Sequence, residues 1–222
     1  MNPQGALPRL LRAGLRLGFG LLYHQLAWTY DLVSWTVSMG QWRAWQRTAL
    51  PYLRGKLVLE IAHGTGNMLL DLVSLGFESA GIDLSPAMSR LAARKLRQRL
   101  GPREWPVPQA RASVFALPFA TGSFQSLLST FPTEFMVQPA AIAEFHRVLR
   151  RGGVFVCVPA AQITGPGLPD RWAAWLFRVT GQSAEGWFAP VVDRYTAAGF
   201  AARVERVQLP RSTVTLIVAE KR

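Results

Sequence analysis

The stretch Lys56–Gly66, KLVLEIAHGTG, decides the fold. Leu57, Val58, Leu59 and Ile61 form a short, almost wholly apolar run, the pattern of a parallel strand buried on both faces. Glu60 stands near its carboxyl end. Gly64-Thr65-Gly66 reads as a tight turn, and Asn67 opens a helix. Seventeen residues past Gly66, GIDLSPAM supplies a second strand ending on Asp83. In an open α/β sheet, ligands bind outside the carboxyl ends of the strands. A glycine turn with one acid, beside a strand ending in a second acid, reads as a nucleoside-binding half-domain. It does not fit a dinucleotide fingerprint, which needs a third glycine three residues past the second; Leu69 stands there.

Three motifs carry a family resemblance. Glu60-Ile61-Ala62-His63-Gly64-Thr65-Gly66 resembles the first motif, E/D-x-G-x-G-x-G, of class I S-adenosylmethionine-dependent methyltransferases, with Ala62 in place of the first glycine. Residues 113–131, SVFALPFATGSFQSLLSTF, resemble the segment D-A-x-x-L-P-F-x-x-x-S-F-D-x-V. Leu117-Pro118-Phe119 and Ser123-Phe124 match it. Ser113 and Gln125 stand where the family has aspartates, the first of which meets the adenine amino group. Glu144, Arg147, Val148, Leu149, Gly152 and Gly153 match E-x-x-R-V-L-K-P-G-G. The resemblance covers roughly Leu57 to Arg222. It extends to the type 11 methyltransferases, which include quinone- and phospholipid-methylating enzymes.

The resemblance implies an α/β fold: a three-layer, Rossmann-like, seven-stranded, mostly parallel sheet with an antiparallel last strand, plus an N-terminal helical segment. It implies S-adenosyl-L-methionine as cofactor. Glu60 is expected near the cofactor's amino-acid portion, with Ala62, His63, Gly64, Thr65 and Gly66 in close approach. Asp83 is expected on the ribose, Leu84, Ser113 and Val114 at the adenine, and Thr130 and Phe131 beside the methyl group. No catalytic base is implied; the candidates are Tyr23, His24, Tyr30 and Glu134, with a smaller case for His63. The implied function is methyl transfer to a small, lipophilic acceptor such as a quinone precursor or a phospholipid head group. Two alternatives stay open. Ala62, Ser113 and Gln125 depart from the pattern and would suit a cofactor-binding protein that no longer transfers methyl groups. An RNA methyltransferase is disfavoured because Phe131-Pro132-Thr133-Glu134 lacks the Asn/Asp-Pro-Pro-Tyr-type signature.

Composition bounds these readings. The 222 residues, half of them hydrophobic, suffice for one large domain with appendages. The single cysteine, Cys157, excludes an internal disulfide and a cysteine zinc cluster, and no metal site is expected. The net charge of +12 favours an anionic partner surface. Arg90, Arg94, Lys95, Arg97 and Arg99 lie along one helix and read as a solvated outer face. Without interleaved aromatics they give no reason to expect nucleic acid.

Residues 1–52 read as an amphipathic and aromatic helical cap, and 53–222 as the cofactor-binding domain. Leu7, Leu11, Leu15 and Leu22 share a helix face opposite Arg9, Arg12 and Arg16. That helix either packs on the domain or lies on an anionic membrane. No secretory signal or clean membrane span is visible, so the expected location is cytoplasmic, with peripheral attachment to the inner membrane face under the second reading. Residues 23–50 carry four of the eight tryptophans and the pair Tyr30-Asp31. Later strands are expected at 109–112, 126–131, 154–158, 201–208 and 213–219. An insertion at 159–186 is expected near the substrate pocket, with a short helix from Arg171 to Val179.

Overall fold

The computed structural model describes residues 30–101, 106–167, 170 and 188–222. The leucine-arginine helix, Tyr23, His24 and the expected helix at 171–179 lie outside the described residues.

Two helices, α1 (Tyr30–Val37) and α2 (Trp42–Arg47), and a 3-10 turn (Leu50–Tyr52) precede the sheet. Then come β1 (Leu57–Ile61), α3 (Asn67–Ser74), β2 (Glu78–Asp83), α4 (Pro86–Arg99), β3 (Gln109–Arg111) and β4 (Phe124–Thr130). A 3-10 turn (Glu134–Val137) leads to α5 (Pro139–Val148), β5 (Leu149–Ile163), α6 (Phe188–Ala197), β6 (Phe200–Leu209) and β7 (Ser212–Lys221). The seven strands run in the order β3-β2-β1-β4-β5-β7-β6. β7 alone is antiparallel to its neighbours, β5 and β6. The expected fold class is therefore the one observed. The strand order reverses between β1 and β4, which places a crevice at their carboxyl ends.

The period-two alternation of strands divides the core into two layers. Leu59, Ile61, Leu127, Phe155, Cys157 and Ile217 face α5 and α6, where Phe145 and Tyr195 are fully buried. Val58, Leu128, Val154, Val156, Val158 and Leu216 face the other side, against Met68 and Leu72 of α3 and Trp45 of α2. Trp45 and Ala49 share this second layer with the sheet, so residues 42–53 pack as part of the domain. The Trp45 indole N–H, buried with its ring, donates to Ser212 Oγ at 2.7 Å, which removes the cost of an unpaired donor there.

The structure corrects some strand limits. β5 begins at Leu149, because Gly152-Gly153 forms a bulge inside the strand rather than a turn before it: the register with β4 shifts between Phe124 and Ser126. Gly152 has φ +72, and a Cβ on Gly153 would lie 2.8 Å from the Arg150 carbonyl oxygen. At its other end β5 runs on to Ile163, so Ala160–Ile163 of the expected insertion pair with β7 instead. β4 stops at Thr130 because Phe131 turns into the left-handed region, at φ +51. Gly199, at φ +92, lies just beyond α6.

Candidate active site

The turn after β1 is fastened to the end of β2. Asp83 accepts the Gly64 N–H at Oδ2 (2.9 Å) and the Ser85 N–H at Oδ1 (2.7 Å), and the His63 N–H donates to the Ile82 carbonyl (3.1 Å). Gly66 takes φ +77, and a Cβ there would come within 2.8 Å of the Ala92 side chain, so glycine permits the contact between the turn and α4. Nothing lies within 4 Å of the Cβ position of Gly64, which therefore faces open space beyond the strand ends. Ala62, in place of the family's glycine, sits at φ +57. An L-residue pays about 1 kcal/mol or more for that conformation.

His63 is buried against the turn. Its Nδ1 lies 3.0 Å from the Gly64 carbonyl, a pairing that puts the ring proton on Nδ1, and Nε2 has no partner among the described residues. A side chain on Gly81 would strike the ring at 2.9 Å from Cδ2, so β2 makes room for it. Burial pushes the imidazole below its ordinary pKa, partly countered by the charge of Asp83. His63 is only 4% exposed.

Glu60 is 1% exposed and faces the α2–α3 side of the sheet, like Val58. Burial first, then repulsion from Asp83 and Asp71, holds its carboxyl well above the usual range, against a hydrogen bond from the Leu69 N–H. Its Oε2 has no partner among the described residues. A buried acceptor left unpaired costs about 1–3 kcal/mol, so this atom is suited to a donor arriving with a ligand.

The N-terminal helices close over the carboxyl ends of β1 and β4. Arg43 and Arg47 both reach Asp71 of α3, Arg43 through two hydrogen bonds. Asp31 accepts from Thr65 Oγ1 at 2.6 Å and Asn67 Nδ2 at 3.0 Å. Lys95 Nζ donates to Asp31 (2.7 Å), Asn67 Oδ1 (2.6 Å) and Thr65 Oγ1 (3.1 Å). Lys95 thus leaves the solvated arginine face expected of α4 and turns toward the glycine turn. Burial alone would raise the Asp31 pKa; the hydrogen bonds from Lys95, Thr65 and Asn67, with the Lys95 charge, bring it below the ordinary value. Above Thr130 the strained Phe131 ring stacks on Trp42 with centroids 4.0 Å apart, and Tyr30 meets Trp42 edge-on. Gln46 Nε2 donates to Thr130 Oγ1 at 2.8 Å. Sequence reasoning did not single out Gln46; no motif marks it.

The remaining candidates separate by position. Leu84 is 65% exposed beside Asp83, and Ser113 and Val114 are partly buried beyond β3. Ser113 Oγ accepts the Phe115 N–H at 3.2 Å, a local turn contact. Glu134 is exposed at the start of its 3-10 turn. Gln125 is not a weakened ligand position: its Oε1 accepts the Lys56 and Leu57 N–H groups (3.0 and 3.1 Å) at the amino end of the sheet, where an amide oxygen serves as well as a carboxylate. Glu144 and Arg147 form a clamp. Arg147 donates to both Glu144 oxygens and to the carbonyls of Leu117 (2.9 Å) and Phe119 (2.7 Å), and Glu144 accepts the Leu117 N–H (2.7 Å). The motif thus holds the Leu-Pro-Phe turn.

This chain thus combines a parallel sheet reversing at β1/β4, a glycine turn gripped by the acid ending β2, and a buried acid under that turn. Its residues 59–157 match the family model described as a methyltransferase domain. The chain is similar to the ubiquinone/menaquinone biosynthesis C-methyltransferase UbiE of Rhizobium johnstonii, with 28% identity over 170 residues, 72% of this chain and 65% of that protein. The match thus spans less than two thirds of the relative's own length. Among solved structures, geranyl diphosphate C-methyltransferase from Streptomyces coelicolor A3(2) aligns with a TM-score of 0.58, at 15% identity over 81% of this chain and 79% of its own. The [4+2]-cyclase SpnF aligns equally well, with a TM-score of 0.58 at 15% identity over 81% of each chain. These two likenesses show the fold.

Proposed function

We propose that the chain transfers the methyl group of S-adenosylmethionine to a small lipophilic acceptor, a quinone precursor or a phospholipid head group. The observation that carries this reading is the carboxyl edge of β1, β2 and β4: a glycine turn open to one side, the Asp83 carboxylate, and an apolar roof of Trp42 and Phe131 over Thr130. The cofactor supplies a methyl carbon made electrophilic by the sulfonium, so the protein's part is positioning and exclusion of water. Asp83, which holds the glycine turn through the Gly64 N–H, accepts the ribose hydroxyls. Leu84, Ser113 and Val114 flank the adenine. Ala62 to Gly66 give the backbone approach, Glu60 underlies the amino-acid portion, and Thr130 and Phe131 border the methyl group. Trp42 and Tyr30 offer aromatic faces to a flat, apolar acceptor. Tyr30 is the base candidate on this wall. A nucleic-acid acceptor does not suit so apolar a roof.

A membrane-facing approach of the acceptor belongs to the same reading. No described helix is long and apolar enough to cross a membrane. However, α1 exposes Leu32 (63%) and Trp35 (62%) along with Val33 and Val37, an apolar surface next to the acceptor roof. We propose that this face and the basic N-terminal segment meet anionic lipid.

The test is incubation of the purified protein with tritiated-methyl S-adenosylmethionine and a lipid extract. Label in the organic phase supports methyl transfer. Saturable cofactor binding with no labelled product supports the second reading, cofactor binding without transfer, which the equal likeness to a cyclase keeps in view. Sedimentation with anionic but not neutral vesicles, reversed by salt, supports the lipid-facing cap; no sedimentation contradicts it.

A further inference from the structure

We infer that Gln46, on the cap helix α2, belongs to the cofactor site: its amide oxygen accepts a hydrogen bond from the α-ammonium of the cofactor's amino-acid portion. The inference rests on the reading of S-adenosylmethionine as cofactor and adds a residue outside the matched domain, 59–157.

Gln46 is only 8% exposed. Its Nε2 is used on Thr130 Oγ1, and its Oε1 has no partner among the described residues. Interior acceptors are rarely left so. Thr130 lies on the same face of the sheet as Leu128, and Leu128 pairs with Glu60 across β1 and β4. Glu60 and Thr130, and with Thr130 the Gln46 head group, therefore stand on adjacent strands, on one face, at the carboxyl edge. Two unpartnered buried acceptors, Glu60 Oε2 and Gln46 Oε1, mark this corner. Among the described residues no basic side chain fills it: Arg43 and Arg47 are committed to Asp71, and Lys95 to Asp31.

The chemistry wanted is a compact group with several N–H donors and a positive charge. Adenine and ribose are assigned to β2 and β3, through Asp83, Leu84 and Ser113. A ligand running from there across the glycine turn brings its amino-acid end to β1 and β4. An α-ammonium has three donors to share, and two of the acceptors it needs are Glu60 Oε2 and Gln46 Oε1. Charge-assisted hydrogen bonds of this kind are the strong ones.

Calorimetry with S-adenosylhomocysteine and with 5′-methylthioadenosine tests the assignment, because the second ligand keeps the adenosine and sulfur but lacks the amino-acid portion. Gln46→Leu is expected to weaken S-adenosylhomocysteine about tenfold and to leave methylthioadenosine unchanged. Gln46→Glu is expected to retain or tighten S-adenosylhomocysteine, since a carboxylate accepts from both the ammonium and the Thr130 hydroxyl. Unchanged S-adenosylhomocysteine affinity in Gln46→Leu overturns the inference. So does an equal loss for both ligands, which means a structural role, or loss of binding in Gln46→Glu, which makes the head group a donor. If the leucine variant fails to fold, Gln46→Met removes the same oxygen at similar length and is read the same way. Failure of the unsubstituted protein to bind S-adenosylhomocysteine overturns the cofactor reading along with this inference.

Discussion

Two polar regions of the molecule use similar residues to opposite ends. In the clamp between α5 and the Leu-Pro-Phe turn, Glu144 and Arg147 satisfy each other and three backbone groups. The Glu144 carboxyl is held below its usual pKa by the Arg147 guanidinium. At the carboxyl edge of β1 and β4, Glu60, His63 and Gln46 are buried with an atom unpaired in each, Glu60 is pushed well above its usual pKa, and Ala62 and Phe131 hold positive φ. The first arrangement stabilises the fold; the second stores cost where a ligand can repay it. Substitutions in the clamp should therefore change stability, and those at the edge should change cofactor affinity.

The largest effect is expected at Asp83. Asp83→Ala removes two charge-assisted ribose contacts of about 1.5–3 kcal/mol each and also frees the Gly64 N–H. Calorimetry should show cofactor affinity lowered on the order of a hundredfold; an unchanged dissociation constant would remove Asp83 from the ribose. Next, Arg147→Ala leaves the Leu117 and Phe119 carbonyls and Glu144 without their donor. Urea unfolding should show a loss of about 2 kcal/mol, with cofactor affinity changed only severalfold; a hundredfold affinity loss would erase the contrast between the regions.

Ala62→Gly should raise stability by about 1 kcal/mol, by relieving the left-handed alanine, and should tighten the cofactor slightly. Weaker binding would mean that the backbone has adapted to the methyl group. The smallest effect is expected for Gln125→Asp, within about 0.5 kcal/mol, because a carboxylate also accepts the Lys56 and Leu57 N–H groups. A change in cofactor affinity there would contradict its place at the amino end.

Much of this was legible before the structure. The apolar run Leu57–Ile61, the glycine turn and Asp83 marked the first two strands and the turn between β1 and α3, because buried parallel strands and tight turns are local in sequence; the whole sheet was expected only from the family resemblance. What needed coordinates was which end of a strand a residue occupies. Gln125 and Ser113 looked alike as departures from a motif, yet one brackets the start of β1 and the other lies at the ligand edge. Lys95 read as one more charge on an arginine-rich helix; only the packing of α1 against the glycine turn turns it inward. Gln46 carries no signal, since its meaning comes from a single contact across 84 residues.

The central claim is that the strained edge is completed by a cationic cofactor group, and Glu60 reports on it directly. Its folded pKa lies above the unfolded value, so the protonated carboxyl contributes stability that is fully present below the ordinary glutamate range and is lost as pH rises through the raised value. An ammonium beside Glu60 lowers that value, so binding releases a proton at any pH lying between the bound and free values. The measurement is calorimetric titration of S-adenosylhomocysteine over a pH series, at each pH in two buffers of different ionisation enthalpy. The account predicts proton release by the natural protein that is absent from Glu60→Gln; binding heats with the same buffer dependence in both proteins would contradict it.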